Sequence, residues 1–370
     1  MRPTGDTGVQ THVNSFLSFL RRREHATVFV TPFSAPSALV YPVFALRRLV
    51  DPVSGALSVW WYRHWHGRFL RIALTRALAR EKGAVVIYAQ CPLSAGAALR
   101  ARRSPEQQIV MAVHFNVSQA DEWVSKGRVR PGSRSYRSIK RFEERTLSQL
   151  DGVVYVSQFI REQLEARIPA LRRIRASVIP NFLELPAVRQ DAGMNGDLVT
   201  VGTLEPRKNQ AYLLAILSAA AREGHHYTLT LIGDGPDRSG LEQLARQLGI
   251  ESRVRMLGFR SDAATLVASH RLYCHVARQE SFGLAIAEAM ACGIPVAACP
   301  VGGVPEVFRS GIDGFSWPLD SPEEAARILI DHMTDELNLA QMGAAGRQRV
   351  IECFSTDVVA PRLLAFLYDR

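Results

Sequence analysis

LYCHVARQESFGLAIAEAMACGIPVAAC, residues 272–299, combines a strand, a tight loop, a helix and a second strand in one stretch. Residues 272–277 form an apolar run of strand length, and residues 284–291 are almost all good helix formers. Gly293 and Pro295 end the helix, and the apolar residues after them are typical of a short buried strand. The pattern predicts one βαβ unit of a parallel sheet.

The loop of this unit has the features of an anion-binding site. It lies where open α/β sheets bind their ligands, and the helix start offers unpaired N–H groups and a positive dipole end. Gly283 lets the backbone approach closely, so a phosphate is the ligand we expect. Glu280 and Glu288 can accept hydrogen bonds from hydroxyls, as on a sugar and a ribose. The alternative is an ordinary turn with two solvated glutamates.

Length and composition indicate a two-domain globular protein. A chain of 370 residues exceeds one typical core, and 47% apolar with 22% charged residues is ordinary for soluble proteins. The five cysteines form neither a CxxC pair nor a metal-ligand spacing, which indicates a reducing compartment. Because the first fifteen residues are polar and no apolar run approaches the roughly 18 residues of a span, we expect no signal peptide or transmembrane helix.

The charge is divided unevenly along the chain. Residues 1–180 carry 28 Lys+Arg and 12 Asp+Glu, a net charge of +16, whereas residues 181–370 carry 17 and 23, a net charge of −6. The basic half implies an anionic partner: a nucleic acid, an anionic lipid or a phosphate-bearing substrate.

The first half gives weaker signals than the second. Residues 27–31 are typical of a strand, whereas residues 33–82 are irregular, aromatic and basic until an amphipathic helix begins at Phe69. Aromatic residues among arginines suit a membrane interface. The alternative is that these aromatics pack in a core beside exposed arginines. The basic loop and helix at 126–145 suit a phosphate or headgroup, or simply form a solvated face.

Polar or glycine-rich segments follow several strands of the chain, and parallel strands place such ends at one edge of a sheet. The second half alternates strands with helices of 10–15 residues, which predicts a parallel sheet, and the Pro- and Gly-rich residues 183–196 are the boundary. The candidate site residues at strand ends are His114, Arg207, Lys208, Gly233, Gly258, Phe259 and Glu280.

Several familiar signatures are absent from the sequence. Arg238 stands at the third glycine position of GxGxxG, which disfavours a dinucleotide-binding dehydrogenase. The sequence contains neither a Walker motif nor a DxD triplet nor a His/Cys cluster, so we expect no metal and no cofactor.

Five segments of the second half carry a recognisable pattern. They are GTLEPRKN (202–209), LIGDGP (231–236), LGF (257–259), ESFGLAIAEAMACGIPV (280–296) and GGVPEV (302–307). Together they closely resemble the retaining, metal-independent glycosyltransferases of family four with the GT-B fold. In that resemblance Glu280 and Glu288 stand at the family's E-x7-E spacing. The first half is more loosely similar, through TGVQTHV (7–13), His114 and residues 141–160.

The resemblance implies an α/β protein of two Rossmann-like domains facing a cleft. Residues 1–182 would form the acceptor-side domain, with a C-terminal helix at about 355–370 packing back on it, and residues 183–354 the domain that binds the nucleotide sugar. The donor would be a nucleotide-diphosphate sugar and the acceptor a glycan or a polyprenyl-linked molecule.

The resemblance also implies a role for each site residue. Arg207 and Lys208 would bind the diphosphate, Glu280 the donor sugar and Glu288 the ribose, while His114 would contact the transferred sugar or the acceptor hydroxyl. Gly8 would approach the phosphates from the other domain. The remaining donor-binding residues would be Gly202, Thr203, Gly233, Gly258, Phe259, Phe282, Gly283 and Leu284.

Three departures from the family pattern stand out. Thr203 replaces the usual arginine, with Arg207 as its substitute, and Ser281 replaces a glycine. The family's first strand normally precedes the Gly-containing loop at residue 8. We therefore expect either that translation starts upstream or that the first sheet lacks a central strand, with poor stability or weak activity as the result.

The leading hypothesis is a cytoplasmic transferase in surface-polysaccharide synthesis, bound at the inner face of the plasma membrane through its basic half. A sugar-nucleotide epimerase or a phosphorylase of the same fold is the second hypothesis. A basic nucleic-acid-binding protein is the third, and it is disfavoured because the charge is confined to one half and no aromatic RNA-binding motif is present. We therefore expect no nucleic-acid partner.

Overall fold

In the part of the chain that the structure describes, two parallel β-sheets are present, and each belongs to one of two units of the chain. The structure, a computed structural model, describes residues 8–81, 83–116, 118–186 and 195–369. The first unit is Met1–Pro180 with Ala360–Arg370, and the second is Asn181–Val359. Each unit has helices around a parallel sheet, so the predicted class of two Rossmann-like α/β domains is confirmed.

The sheet of the first unit has its described strands side by side in chain order, all parallel. Helices connect successive strands, as parallel pairing requires. Its central strands are buried on both faces, which explains their continuous apolar sequences. The strands are β1 (Val85–Ala89), β2 (Gln107–Val113), β3 (Gly152–Tyr155) and β4 (Ala176–Val178).

The helices of the first unit have local sequence signals at their starts. Four of them follow a serine, at positions 54, 118, 133 and 157, whose hydroxyl oxygen accepts a first-turn N–H. The helices are α1 (Gly8–Arg22), α2 (Ser37–Val50), α3 (Gly55–Leu78), α4 (Pro92–Ala101), α5 (Gln119–Ser125), α6 (Arg134–Leu147) and α7 (Gln158–Arg167).

The predicted strand at residues 27–31 is wrong. The backbone there belongs to no helix or strand, and the side chains of Val28 and Phe29 are 70% and 36% exposed. Their β-branched and aromatic side chains favour an extended chain, but a strand forms only where a neighbouring strand completes its hydrogen bonds. Within the described ranges, no strand pairs with this segment.

The prediction that the residues from 33 up to Phe69 are irregular is also wrong, because α2 and α3 occupy most of them, whereas the helix predicted from Phe69 onward is confirmed as the second part of α3. Pro42 lies inside α2, where proline normally argues against a helix. The aromatic side chains divide: Trp65 and Phe69 pack around Val40, whereas Trp60 is 54% exposed. No helix within the described part of the chain is both long and apolar enough to cross a bilayer.

The sheet of the second unit has six parallel strands among the described residues, in the order β10-β9-β8-β5-β6-β7. The order reverses beside β5, because β6 and β8 lie on either side of it. Such a switch point is where open parallel sheets bind ligands. The strands are β5 (Gly196–Val201), β6 (Leu229–Ile232), β7 (Val254–Gly258), β8 (His270–His275), β9 (Val296–Ala298) and β10 (Gly314–Ser316).

Helices rich in Ala and Leu cover this second sheet. Leu214 and Leu217 of one helix and Leu329 of another are fully buried in a core that also contains Trp317. Burial of each such leucine stabilises the fold by about 1.5–3 kcal/mol. The helices are α8 (Gln210–Arg222), α9 (Arg238–Gln247), α10 (Ala263–Ala268), α11 (Leu284–Ala291), α12 (Val304–Val307), α13 (Pro322–Met333) and α14 (Glu336–Cys353).

The last helix, α15 (Thr356–Tyr368), begins in the second unit and ends in the first. Near its end, the guanidinium of Arg175 donates to the carbonyl oxygen of Phe366 and lies 4.4 Å from the centre of its ring. The ring of Tyr368 lies 6.2 Å from that of His25. The end of α15 is thus fixed to the first unit by polar and aromatic contacts.

Candidate functional site

Three glycines come together at the carboxyl ends of β5, β6 and β7. The N–H of Gly202 donates to the carbonyl oxygen of Ile232 at 2.9 Å, and that of Gly233 to Gly258 at 2.8 Å. A Cβ atom on Gly233 would lie 2.0 Å from the carbonyl oxygen of Gly202, and its φ of +137° disfavours other residues. The glycines let three strand ends approach closely, so their backbone lines one edge of the sheet.

Lys208 and Glu280 form the centre of the candidate site. Lys208 Nζ donates to Glu280 Oε2 at 2.7 Å, and Arg207 Nη1 lies 3.8 Å from the same oxygen. Arg207 is itself held by Glu205, at 2.9 Å, and by the carbonyl oxygen of Gln279, at 3.3 Å. Residues 72 positions apart in the chain are thereby joined beside the switch point of the sheet.

A histidine that the sequence did not reveal lies against the same carboxylate. His275 ends β8, is 4% exposed, and places its Nε2 atom 3.5 Å from Glu280 Oε2. The position of His275 follows the rule that pointed to His114, since both occur at the end of a strand. Its participation depends on burial and on the turn to Glu280, which the sequence pattern does not show.

Glu280 is held as a carboxylate. Burial alone would raise its pKa, but the Lys208 ammonium and the His275 ring outweigh burial and hold the pKa well below the usual value. Burial lowers the pKa of His275, and the nearby Glu280 only partly opposes that effect. Glu280 is therefore an acceptor of hydrogen bonds and a source of negative charge, and it does not act as a proton donor near neutral pH.

Replacing His275 by glutamine should reduce the pH dependence of stability. Because burial keeps the folded-state pKa below the ordinary 6.5, the unfolded chain binds more protons as the pH falls through 6.5, and stability falls with it. His275→Gln should remove up to about 1.4 kcal/mol per pH unit from that slope. Urea unfolding between pH 7.5 and 5 measures it.

The control for this prediction is His64→Gln, which changes an exposed histidine. Its unfolding is measured over the same pH range, which separates an effect of the buried histidine from the general effect of replacing a histidine. Equal slopes for His275→Gln and the wild type would contradict the assigned burial effect.

The loop that carries Glu280 is held in place by the GGVPEV segment. The N–H of Gly303 donates to the carbonyl oxygen of Glu280 at 3.0 Å, and a Cβ on Gly302 would lie 2.0 Å from that oxygen. Gly302 has a φ of +59°, which L-residues rarely adopt. These two glycines let a second loop pack directly on the backbone of the site.

The start of α11 follows Glu280 by four residues. Gly283 has a φ of +102° and turns the chain into the helix, and no acceptor among the described residues takes the N–H groups of Gly283 and Leu284. The ring of Phe282 is 2% exposed and packs on Phe354, so its contribution to a ligand would come from its backbone. These N–H groups are available to an anion.

Glu288 lies on α11 and acts electrostatically on Tyr273 of β8. Burial chiefly, and Glu288 next, raise the pKa of Tyr273, whose hydroxyl donates to the carbonyl oxygen of Val201 at 3.5 Å. Val201 directly precedes Gly202, so the hydroxyl of Tyr273 lies at the same edge of the sheet as the three glycines. The role of Glu288 as a ribose ligand stays a prediction.

The remaining predicted donor residues are less enclosed. Phe259 is 58% exposed beside Gly258, which has a φ of +68°. Thr203 is exposed, and its carbonyl oxygen accepts from the Gln210 side-chain amide at 3.0 Å. Both can contact a ligand at the surface of the second unit, and neither is fixed by the packing around Glu280.

A second polar cluster lies in the first unit, at the ends of β1 and β2. His114 Nε2 lies 2.9 Å from Gln90 Oε1, and the ring of His12 stands edge-on to His114 with 4.8 Å between centroids. His12 Nε2 lies 3.2 Å from the Tyr88 hydroxyl, and burial, then His114, keeps the pKa of His12 well below its usual value. Gly8 is the first residue of α1, and the loop before it lies outside the described residues.

The grouping of His, Cys, Asp and Glu side chains bears on whether the protein could hold a metal ion. In the part of the chain that the structure describes, no three or more His, Cys, Asp or Glu residues are grouped as a metal site would require. That the protein works without a metal or cofactor stays a prediction.

Known proteins with similar sequences are glycosyltransferases. The chain is 36% identical over 141 residues to N-acetyl-alpha-D-glucosaminyl L-malate synthase of Bacillus anthracis, covering 38% of this chain and 37% of that protein. It is 30% identical over 224 residues to the phosphatidylinositol N-acetylglucosaminyltransferase gpi3 subunit of Schizosaccharomyces pombe, covering 59% and 48%. The chain spans less than half the length of either relative.

Solved structures of similar fold cover most of the chain. Anabaena Alr3699/HepE in complex with UDP and glucose matches 80% of this chain and 81% of its own, with a TM-score of 0.67 at 22% identity. Sucrose-phosphate synthase from Thermosynechococcus elongatus matches 82% and 77%, with a TM-score of 0.67 at 21% identity. These similarities show the fold, which is GT-B.

Two family models match the chain one after the other. The model described as Glycosyltransferase Family 4 matches residues 7–185, and the model described as Glycosyl transferases group 1 matches residues 184–349. Because the two matches follow each other along the chain and the fold is GT-B, the chain belongs to the family 4 type of GT-B glycosyltransferases.

Proposed function

We propose that the protein transfers a sugar, with retention and without a metal ion, from a nucleotide-diphosphate sugar to a glycan or lipid-linked acceptor in cell-surface polysaccharide synthesis. The observation that carries the proposal is the contact of Lys208 and Arg207 with Glu280 at the carboxyl edge of a parallel sheet. Cations suit a diphosphate and a carboxylate suits sugar hydroxyls, so one cluster can bind both parts of the donor.

Lys208 is the better placed of the two cations to bind the diphosphate. An ammonium has three N–H donors, and Glu280 takes one of them. Arg207 already donates from Nε and Nη2 to Glu205 and from Nη1 to Gln279, so it mainly adds positive charge. Together with the N–H groups at the start of α11, these cations would stabilise the nucleotide diphosphate as it leaves.

Retention is proposed to follow from displacement on one face of the sugar. Glu280 would balance the positive charge that develops on the sugar ring, because its low pKa keeps it anionic. The departing phosphate would take the proton of the acceptor hydroxyl. Catalysis in this scheme depends on positioning and electrostatics, and no enzyme nucleophile is needed.

Two steps test this function. A thermal-shift screen with UDP, GDP and ADP should find one nucleotide that raises the melting temperature, since a ligand of the folded state stabilises it. Incubation with the matching nucleotide sugar should then release nucleoside diphosphate, and NMR of the product should show the donor's anomeric configuration. A changed sugar still attached to its nucleotide would instead identify an epimerase.

A membrane-bound acceptor is part of the proposal, and α2 supports it. Four apolar side chains of α2 and the turn after it, Leu39, Leu46, Leu49 and Val53, are 49–79% exposed, and Arg48 is exposed among them. Exposed apolar residues beside cations are typical of helices that lie in the interface of an anionic bilayer. We propose that α2 docks the protein on such a membrane.

Replacing Leu46 and Leu49 by glutamate should reduce binding to anionic vesicles at least about tenfold, because apolar burial is lost and repulsion is added. Co-sedimentation with phosphatidylglycerol vesicles measures it. The matched control is Leu337→Glu, which changes a side chain that is 72% exposed in the second unit. Equal binding by Leu46→Glu/Leu49→Glu and the control would rule out docking by α2.

A further inference from the structure

A groove of about 580 Å³ lies in the first unit, between α3, α4 and α6. Among the described residues, its lining contains five arginines and no aspartate or glutamate. The arginines come from all three helices: Arg63, Arg68 and Arg71 from α3, Arg100 from α4 and Arg134 from α6. The groove is therefore a concave surface with one sign of charge, which concentrates an anion far better than a flat basic surface does.

The charge of these arginines is not neutralised by neighbouring carboxylates. In the described part of the chain, Arg68, Arg71, Arg100 and Arg134 form no ion pair. Glu143 is the carboxylate whose charge acts on Arg63, but Glu143 is fully buried and already pairs with Arg167 at 3.0 Å. The positive charge of the groove is therefore not balanced by the residues around it.

Arg71 and Arg100 line the same groove, and their like charges repel each other. Burial, and then the charge of Arg71, lowers the pKa of Arg100. Gly67 lies beside Arg100, with Arg100 Nη2 3.8 Å from where a Cβ would be. Like charges held together in this way are stabilised by a shared anion.

Apart from the arginines, His64, Ser135 and Ser138, the side chains of the lining are apolar. Val59 and Ile139 are buried at its wall, Leu93 is buried on α4, and the indole of Trp60 is 54% exposed. The guanidinium of Arg63 lies 5.0 Å from the centre of the Phe142 ring. A groove with arginines and apolar walls suits an amphiphile, a molecule with an anionic group joined to an apolar chain, better than a fully polar anion.

Two residues of the groove lining lie on α4. Leu93 stands near the start of that helix, three residues after Gln90, the partner of His114. Arg100 lies seven residues further along α4, about 10 Å away at the rise of an α-helix. A molecule in the groove can thus extend along α4 from the apolar side chain of Leu93 to the guanidinium of Arg100.

We propose that this groove binds the phosphate or diphosphate group of the acceptor, which carries an apolar chain. This inference rests on the proposed function, since it names the acceptor class of the same transferase. The volume lies within the roughly 300–1,000 Å³ of small-molecule sites, which fits one diphosphate with part of a chain. Arg71 and Arg100 bind the anionic group, and the wall formed by Trp60 and Leu93 contacts the chain.

Equilibrium binding of farnesyl diphosphate, a soluble amphiphilic diphosphate, tests the proposal by calorimetry on the full chain. Arg71→Gln/Arg100→Gln should weaken binding at least tenfold. The matched control, Arg76→Gln/Arg80→Gln, removes the same charge from exposed positions of the same helix and its end, outside the groove, and should bind as the wild type does. Farnesol, which lacks the diphosphate, should bind the wild type at least tenfold more weakly.

Other outcomes overturn the proposal. Equal loss of farnesyl diphosphate binding in both double variants would show a general charge effect. Equal binding of farnesol and farnesyl diphosphate would show that the anionic group does not contribute. Displacement of farnesyl diphosphate by a short single-stranded oligonucleotide would identify a nucleic-acid site. Binding only to phosphatidylglycerol vesicles, with none to the soluble diphosphate, would identify a headgroup site.

Two further readouts keep this test separate from that of the proposed function. The melting temperature of each variant shows whether it is folded. Arg134→Gln, at an exposed position, supplies a second variant that removes a single charge from the groove. Nucleotide binding by the second unit is measured in the same preparations. Normal nucleotide binding without farnesyl diphosphate binding defeats the groove proposal alone, whereas absent nucleotide binding defeats the transferase function and the acceptor role with it.

Discussion

Lys208→Ala should lower the rate of sugar transfer by about a hundred- to a thousandfold, the usual loss when one preorganised charge contact to the leaving group is removed. The same change should weaken binding of the nucleoside diphosphate, because Lys208 is proposed to contact it in both ground state and transition state. It should also destabilise the fold by on the order of 1–3 kcal/mol, since Glu280 is 13% exposed and loses its closest partner at 2.7 Å. Release of nucleoside diphosphate and urea unfolding measure the two effects.

Arg222→Ala is the matched control for this prediction. Arg222 is a cation of the same unit, on α8, and it pairs with Glu323 where both side chains are more than half exposed. It should keep full activity and most of its stability, as exposed ion pairs contribute little. A folded Lys208→Ala protein with wild-type turnover would overturn the assignment of the diphosphate site.

Glu280→Gln should also lower transfer by about a hundred- to a thousandfold, but for a different reason. Glutamine keeps the shape and an acceptor oxygen, and it removes the negative charge that is proposed to stabilise the sugar in the transition state. Nucleoside diphosphate binding should therefore be retained or strengthened, because the change removes repulsion from the phosphates. Turnover and calorimetric binding, measured on one preparation, separate Glu280→Gln from Lys208→Ala.

The acid stability of Glu280→Gln provides an independent check. The folded-state pKa of Glu280 is held below the ordinary 4.5, so the ionised carboxylate stabilises the wild type above that pH and the contribution is lost as the pH falls through and below it. The variant should lose less stability than the wild type between pH 5 and 3.

If nucleotide binding by Glu280→Gln falls together with its turnover, the proposed division of roles between Glu280 and Lys208 is incorrect.

The second half of the chain was predictable because local and tertiary signals agree there. Its strands are short apolar runs that end at glycines such as Gly202 and Gly233, and these positions need glycine for close backbone approach. The helix at 284–291 was bounded correctly by Gly283 and Gly293. Where turn residues and hydrophobic period agree, the strand ends and the site between them can be located from sequence.

The first half misled prediction for identifiable reasons. Residues 27–31 have strand propensity, but a strand also depends on a pairing partner elsewhere in the chain. The helix α2 contains Pro42 and exposes most of its apolar side chains, so it shows neither the composition nor the one-sided pattern by which a buried helix is recognised. Its residues were consequently predicted to be irregular.

Tertiary contacts explain what the sequence did not show of the sites. The role of His275 depends on the turn that brings Glu280 back over the end of β8, at 3.5 Å from its ring. The arginines of the groove were visible as a basic half, but Arg71, Arg100 and Arg134 meet only because three helices pack side by side. Spacing along a chain carries no signal for such convergence.

The central claim is that Arg207 and Lys208 bind the diphosphate of the donor, and a comparison of two ligands tests it most directly. Calorimetry compares the wild type and Arg207→Ala/Lys208→Ala, each titrated with the nucleoside diphosphate found in the screen and with its parent nucleoside. The account predicts that the variant loses the affinity that the diphosphate adds and binds both ligands equally weakly, while nucleoside affinity is unchanged. An undiminished preference of the variant for the diphosphate would contradict it.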